Sequence, residues 1–336
     1  MRVPYVSIIV ITTGKNLVNI KRLLLSIKAQ NYKDYEVIIA TESNGAKLTE
    51  LCISLGLNCT ILETGCWNKC KTANLAIVKS KGKLIALLED DVELEPCWLS
   101  KMIECLNTEK NAGCVYCVVI NPLGSESITT RTSKRAFHYV VRAINTLKAH
   151  YCIARKGLKV FSLTVLCRRE ALLRAGVFDM NVEEPIQAED YDLAIRIQKA
   201  GYKIMTCNEV KVRHYTRHTY KRALLTLKKG PKWWGKLVEN DTYLFAKHWD
   251  LLGISIFTHA LYNAIFTPFA LILQVKRLPG IAFFTKLFLH AIKGSFTGLI
   301  RGLCLVLLTP KSNAIIRTQL LRKFSDSIGH TSTARY

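Results

Sequence analysis

Apolar runs of strand length alternate with helical-period segments over the first 120 residues. VSIIVIT (residues 6–12) is a continuous apolar run, and YEVIIAT (35–41), CTILETG (59–65), KLIALLED (83–90) and AGCVYCVVINP (112–122) repeat the type. Runs this short and rich in β-branched residues predict strands buried on both faces. Between them, NIKRLLLSIKAQ sets Ile20, Leu23, Leu24 and Ile27 on one helical face, and AKLTELCISLGL repeats the period. Further helices are predicted over residues 69–80 and from near Cys97. Such alternation predicts an α/β fold, a mostly parallel, Rossmann-like sheet flanked by helices. Ligands of these sheets gather beyond the carboxyl ends of the strands.

The fourth run ends in LEDDVELEP, which crowds Glu89, Asp90, Asp91, Glu93 and Glu95 into one spot. The whole chain holds 48 Lys and Arg but only 25 Asp and Glu, so acids are scarce. Glu93 and Glu95 suit the dipole of the helix that follows. Glu89 and Asp91, two apart on a strand end, share a face and suit a hard divalent cation shared with substrate phosphates. A second acidic group, Glu189, Asp190 and Asp192, opens an amphipathic helix whose apolar residues include Leu193, Ile195 and Ile197. Those acids could cap the helix, or Glu189-Asp190 could present a general base to a cleft.

Four segments, taken in order, resemble the family 2 glycosyltransferases, inverting enzymes with the GT-A nucleotide-sugar-binding fold. They are VSIIVITT, KTANLAIVKSKGKLIALLEDDV, REALLRAGVFD with AEDYDLAIRIQKAGYKI, and VKVRHY, and the resemblance covers about residues 4–220. It implies a GT-A sheet, a nucleoside-diphosphate sugar as donor, and Mg²⁺ or Mn²⁺ as cofactor. Asp91 would ligate the metal, and Glu89 would touch the ribose or the metal-bound diphosphate, with Asp90 between them. His214 would be a further metal or phosphate ligand. Asp190 would be the base, with Glu189 beside it. Thr12, Lys71 and Asn74 would approach the nucleotide. The sequence departs from the family at ATESNG, where Thr41 and Glu42 replace a DDxS-like turn. Glu42 is expected to take over the hydrogen bonding to the nucleoside. The opening strand has Ile11-Thr12-Thr13 in place of a Pro-Thr start, and the QxxRW motif of processive synthases is missing.

Beyond residue 225 the pattern changes. KKGPKWWGK (228–236) reads as a loop in which Trp233 and Trp234 either stack on an acceptor or sit at a membrane interface. Residues 251–275 carry no charged side chain, a length that permits bilayer crossing. The following apolar segment sets Lys286, Lys293 and Arg301 among aromatic and aliphatic residues, as in a basic amphipathic helix on anionic lipid. The expected organisation is a catalytic domain over 1–225, a connecting or acceptor loop over 226–250, and a membrane-associated helical tail over 251–336. Arg131, Lys134, Arg135 and Arg142 read first as part of a solvated basic helix, and alternatively they would greet a phosphate-bearing acceptor.

The net charge of +23 calls for an anionic partner. An anionic membrane surface is the expected one, with a glycan or lipid-linked acceptor, at the cytoplasmic face because residues 1–5 lead straight into a strand without a secretory signal. A polyprenyl-phosphate glycosyltransferase is the alternative enzyme. A basic nucleic-acid-binding module or a non-catalytic scaffold is the alternative of another class, and the chain has no zinc finger, RNP-like aromatic motif or basic zipper. The twelve cysteines are scattered through apolar runs and read as reduced, buried thiols. Cys114 and Cys117 form a CxxC on a predicted strand, where they point to opposite faces, which argues against zinc.

Overall fold

A computed structural model of the chain describes residues 3–120, 158–159, 161, 164–215, 228–272 and 281–308. The basic residues 131–142 lie outside them.

The alternating pattern folds as expected. Strands β1 (Val6–Thr12), β2 (Tyr35–Thr41), β3 (Cys59–Glu63) and β4 (Leu84–Glu89) pair in parallel in the order β3-β2-β1-β4. Helices α1 (Leu17–Lys28), α2 (Gly45–Ser54) and α3 (Lys69–Lys79) make the crossovers. Alternate residues of each strand serve two cores. Ile8 and Val10 join the side of α1, α2 and α4 (Trp98–Asn107), while Ile9 and Ile11 join the side of α3. Both faces of these strands are covered, which is why the runs are continuously apolar.

The sheet continues through β7 (Thr164–Arg168), β6 (Ala112–Ile120), β8 (Lys203–His214) and β5 (Val92–Leu94) to complete eight strands. β7 enters antiparallel to β4 and β6, and β6 pairs β8 in parallel. Its register sets Cys114 opposite Cys167, and these two form a disulfide with a Cα–Cα distance of 4.0 Å. This corrects the expectation that every thiol is free: pairing between strands 53 residues apart brings the two together. Cys117 is on the other core and accepts from the Trp98 indole N–H. The CxxC is therefore not a zinc pair.

β5 begins three residues after β4 ends, yet it pairs antiparallel with β8 at the far end of the strand order. The two residues between, Asp90 and Asp91, can span only ~7–10 Å. The sheet must curl to bring its far edge back to the end of β4.

The C-terminal part is helical: α7 (Pro231–Ala246), α8 (Trp249–Leu252), α9 (Ser255–Ile272) and α10 (Ile281–Leu308). They follow α5 (Arg169–Ala175) and α6 (Glu189–Lys199) in chain order. The predicted loop at 228–236 is instead a helix start. Gly230 caps the helix start at φ 87°, and Pro231 takes the first helical position, where its missing N–H costs nothing. Trp234 is buried against Leu287 and Ala291 of α10, so it neither faces a ligand nor a membrane. Among the described residues no helix is long and apolar enough to cross a membrane.

α10 meets α7 at very close range. A Cβ on Gly298 would lie 2.2 Å from the Glu239 carbonyl oxygen, and one on Gly294 2.0 Å from that of Gly235. Gly298→Val is expected to lift α10 from α7 and to cost ~2–4 kcal/mol of stability, read as a lowered midpoint in urea. An unchanged midpoint would mean that this helix contact does not form.

Candidate active site

The curl assembles the acids. Because Val92 is paired with His214, the end of β8 meets the turn after β4, and the His214 Nε2 is 3.0 Å from Asp91 Oδ1. The Tyr215 N–H donates to the Asp91 carbonyl at 2.7 Å. Tyr215 also hydrogen-bonds Glu93 through its hydroxyl, and its ring lies 3.8 Å under the Arg22 guanidinium. Ligand atoms of Glu89, Asp91 and His214 all lie within 4.8 Å of one another. Two carboxylate oxygens and an imidazole nitrogen fit a divalent cation, and the nitrogen suits Mn²⁺ better than Mg²⁺. Among the described residues this is the one group of His, Cys, Asp and Glu so placed. Burial pushes the Asp91 carboxyl up, but the His214 hydrogen bond and charge outweigh that and hold it below the ordinary range.

Asp90 turns the other way and accepts from the Thr12 hydroxyl at the end of β1. Burial raises its pKa in spite of that bond, with Asp91 and Glu89 adding to the rise. Thr12 also accepts from the N–H of Gly14 at 2.9 Å, which shapes the turn after β1. Glu42 lies at the end of β2, where its carboxylate accepts from Lys15 at 2.8 Å. Thr12, Glu42 and Asp90 thus lie on the carboxyl ends of adjacent strands.

The second acidic group arrives on α6. Glu189 is buried, and Asp190, half-buried, accepts only the adjacent Tyr191 N–H among its described hydrogen bonds. Burial and the neighbouring Glu189 charge push the Asp190 carboxyl up to about 7, against the opposing pull of Lys69. A carboxylate poised there is a capable base at neutral pH.

Lys69, which the sequence did not single out, joins the two groups. Its ammonium is 2.6 Å from Glu89 Oε1 and 2.6 Å from Glu189 Oε1. Burial would lower its pKa, but the two carboxylates raise it and keep it charged. Asn68 caps α3 by accepting the Lys71 N–H, and its side-chain amide donates to the Val182 carbonyl. The Lys69 N–H donates to Glu184 at 3.1 Å. The start of α3 is thereby fastened to the loop before α6. Lys71 lies on the same first turn, but Lys69 is the lysine that reaches the acids.

Asn74 departs from the nucleotide-contact expectation. It is fully buried, and its amide exchanges two hydrogen bonds with the backbone of Phe178. With both ends of its amide engaged there, it ties α3 to the segment after α5.

Below α6 lies a buried ionic network that sequence reading also missed. Lys247 Nζ is 2.6 Å from Asp179 and 2.7 Å from Asp192. Arg196 pairs with Asp192 at 2.8 Å, and His248 contacts it at 2.9 Å. Burial would raise both acids, but Lys247 holds Asp179 at about 2, and Arg196 with Lys247 holds Asp192 well below the ordinary range. Burial lowers His248 to about 4, so it is neutral. Asn240 donates to the carbonyls of Glu183 and Pro185, and Arg301 to that of Asn181. The C-terminal helices therefore hold the loop and helix that carry Asp190.

The curled sheet, with acids at the end of its central strand and a second acidic pair joined to them through Lys69, is the GT-A architecture. A family model described as glycosyl transferase family 2 matches residues 7–179, just over half of the chain. The chain belongs to glycosyl transferase family 2, and its class is glycosyltransferase. Staphylococcus aureus TarS 1–349, solved in complex with UDP, superposes with a TM-score of 0.52 at 15% identity, over 98% of this chain and 93% of that one. At that identity the likeness is one of fold. The mannosyltransferase PcManGT from Pyrobaculum calidifontis, in complex with GDP-Man and Mn²⁺, gives a TM-score of 0.48 at 16% identity, over 98% and 85% of the two chains. A longer S. aureus TarS structure gives 0.48 at 14% identity over 78% of this chain, and only 43% of that chain is covered. Among curated proteins, the uncharacterised y4gI of Sinorhizobium fredii is 26% identical over 138 residues. That match takes in 38% of this chain and 15% of the relative.

Proposed function

We propose that the protein transfers a sugar from a nucleoside-diphosphate sugar to an acceptor hydroxyl by a single inverting displacement. The observation that carries this is the cluster of Glu89, Asp91 and His214, joined through Lys69 to Glu189, the neighbour of Asp190. Asp190 takes the acceptor hydroxyl's proton as that oxygen bonds to the anomeric carbon. The bond from that carbon to the diphosphate breaks on the opposite side. Glu89, Asp91 and His214 would hold Mn²⁺ or Mg²⁺, which when bound neutralises charge on the departing diphosphate. Thr12, Glu42 and Lys71 lie at the strand and helix ends suited to the nucleoside and phosphates. The fold shared with a UDP-bound TarS supports UDP as the first donor nucleotide to try.

A thermal-shift titration with UDP, GDP and their sugars, with and without Mn²⁺, tests the reading. A ligand at one hundred times its Kd adds about 2.7 kcal/mol of apparent stability. A Mn²⁺-dependent upward shift with one nucleotide is the expected result. No shift with any of them would overturn nucleotide-sugar transfer.

The outer faces of α9 and α10 support a second feature, peripheral attachment to an anionic membrane with a membrane-borne, lipid-linked acceptor. Ile254 stands exposed just before α9, Phe257, Leu261 and Ile265 follow at helical spacing, and Leu289, Ile292, Phe296 and Ile300 do the same on α10. Residues 251–308 contain no Asp or Glu. Such a surface attracts anionic headgroups and buries its apolar side chains among them. Co-sedimentation with vesicles containing phosphatidylserine is expected, weakened by salt and by Phe257→Glu with Phe296→Glu. Equal retention by phosphatidylcholine vesicles alone, or none by either, would overturn it.

A further inference from the structure

Among the described residues Lys69 is the cation in contact with both acidic groups, and the Mn²⁺ reading above gives it neither a ligand's nor a base's work. Its ammonium lies 2.6 Å from one oxygen of Glu89, a residue of the cation cluster, and 2.6 Å from Glu189, the neighbour of Asp190. The side chain is 20% exposed, so solvent screens it poorly. It is also fixed at its root. The capping of α3 by Asn68, and the Lys69 N–H bond to Glu184, set the first turn of the helix against the loop before α6. A lysine held at both ends, between two carboxylates, is a built element of the site. It is not a side chain that drifted to the nearest acid.

We propose that Lys69 is a positioning residue that sets the grip of the acidic cluster on its divalent cation. The proposal rests on the reading of Glu89, Asp91 and His214 as that cation's ligands. A fixed positive charge beside the cluster acts in two ways. It engages Glu89 Oε1 and so competes with the cation for that carboxylate. It also repels the cation, and so weakens a site that would otherwise bind too tightly. Glu89, Asp90, Asp91, Glu189 and Asp190 together carry up to five negative charges, with His214 and Lys69 as the opposing groups. Without Lys69, the cation and the nucleoside diphosphate that leaves with it would be held after each turnover.

The proposal makes a prediction opposite in sign to that for a merely structural lysine. Mn²⁺ titrated into the full chain, followed by the paramagnetic resonance of the free ion, is expected to bind Lys69→Met ~10-fold more tightly than the unaltered protein. Lys69→Arg should return the affinity to near its starting value. Glu189→Gln, which removes a negative charge and leaves Lys69 to Glu89 alone, should weaken binding by a similar factor. In Lys69→Met, sugar transfer should show a fast first turnover followed by a slow steady state limited by product release.

Unchanged or weaker Mn²⁺ binding in a natively melting Lys69→Met protein would overturn the inference and leave the cation site standing. If Lys69→Met does not fold, Glu189→Gln decides, and tighter or unchanged binding there would overturn it. An unaltered protein that binds no Mn²⁺ overturns the cation reading, and the inference with it.

Discussion

Asp190→Asn is expected to slow sugar transfer by at least ~10²-fold while leaving the nucleotide-induced thermal shift in place. Asn keeps the shape and the hydrogen bond from the Tyr191 N–H but cannot accept a proton. In the unaltered protein the transfer rate should rise with pH and level off above about 7, because Asp190 must be ionised to act and its carboxyl is pushed up to about 7. Stability should move the opposite way. A carboxyl whose folded pKa is raised binds its proton more tightly folded than unfolded. Folding stability is therefore lost as pH rises from the ordinary carboxylate value of 3.8 through about 7. Asp190→Asn removes that loss, and at pH 8 the variant should be more stable by ~1–2 kcal/mol, a figure discounted because the group is half-buried. A stabilised but inactive protein is the signature of a strained catalytic charge. Full transfer activity in Asp190→Asn would remove Asp190 from the mechanism.

Asp91→Asn is expected to abolish the Mn²⁺-dependent part of the nucleotide thermal shift and to reduce transfer by ~10²-fold or more. The substitution removes the charge at the centre of the cluster while keeping a side chain able to meet His214. Asp91 is partly exposed, with 26% of its side-chain surface accessible, so the melting point without ligand should stay close to that of the unaltered protein. The measurement is the pair of titrations, with and without Mn²⁺, on both proteins. A Mn²⁺-dependent shift that survives in Asp91→Asn would show that the cation is held elsewhere.

The strands and their crossovers were legible because a strand buried on both faces leaves a continuous apolar run, and a surface helix leaves a 3.6-residue period. The LEDD acids were legible for a further reason, since acids are costly at the end of a buried strand unless something uses them. His214 was reached only through resemblance. Its meeting with Asp91 depends on β5 pairing with β8, 120 residues on in the chain, which no local pattern records. Lys69 went unread because a lysine on a helix is ordinarily solvated. Asn74 matched a motif by position, yet its partner is the backbone of Phe178, 104 residues away. The Gly230-Pro231 pair signals a break, and the chain uses that break to begin a helix. Cys114 and Cys167 illustrate the same limit, because each lies in an unremarkable apolar run and only the sheet register brings them face to face.

The Lys247 network bears on where the catalytic unit ends. Asp179, Asp192 and Arg196 lie in the part of the chain that the family resemblance covers, and Lys247, which directly follows α7, lies outside it. Two acids and two bases there sum to zero. A fragment cut near residue 225 would keep both acids and lose one base, leaving an uncompensated negative charge in the floor beneath α6. Removing one partner of a buried pair costs ~3–5 kcal/mol, a large share of a domain's whole stability. The sheet could form its strands in such a fragment, but α6 would lose the support that aims Asp190. The C-terminal helices are thus expected to fold with the sheet as one unit, and a fragment ending near residue 225 is expected to melt well below the full chain.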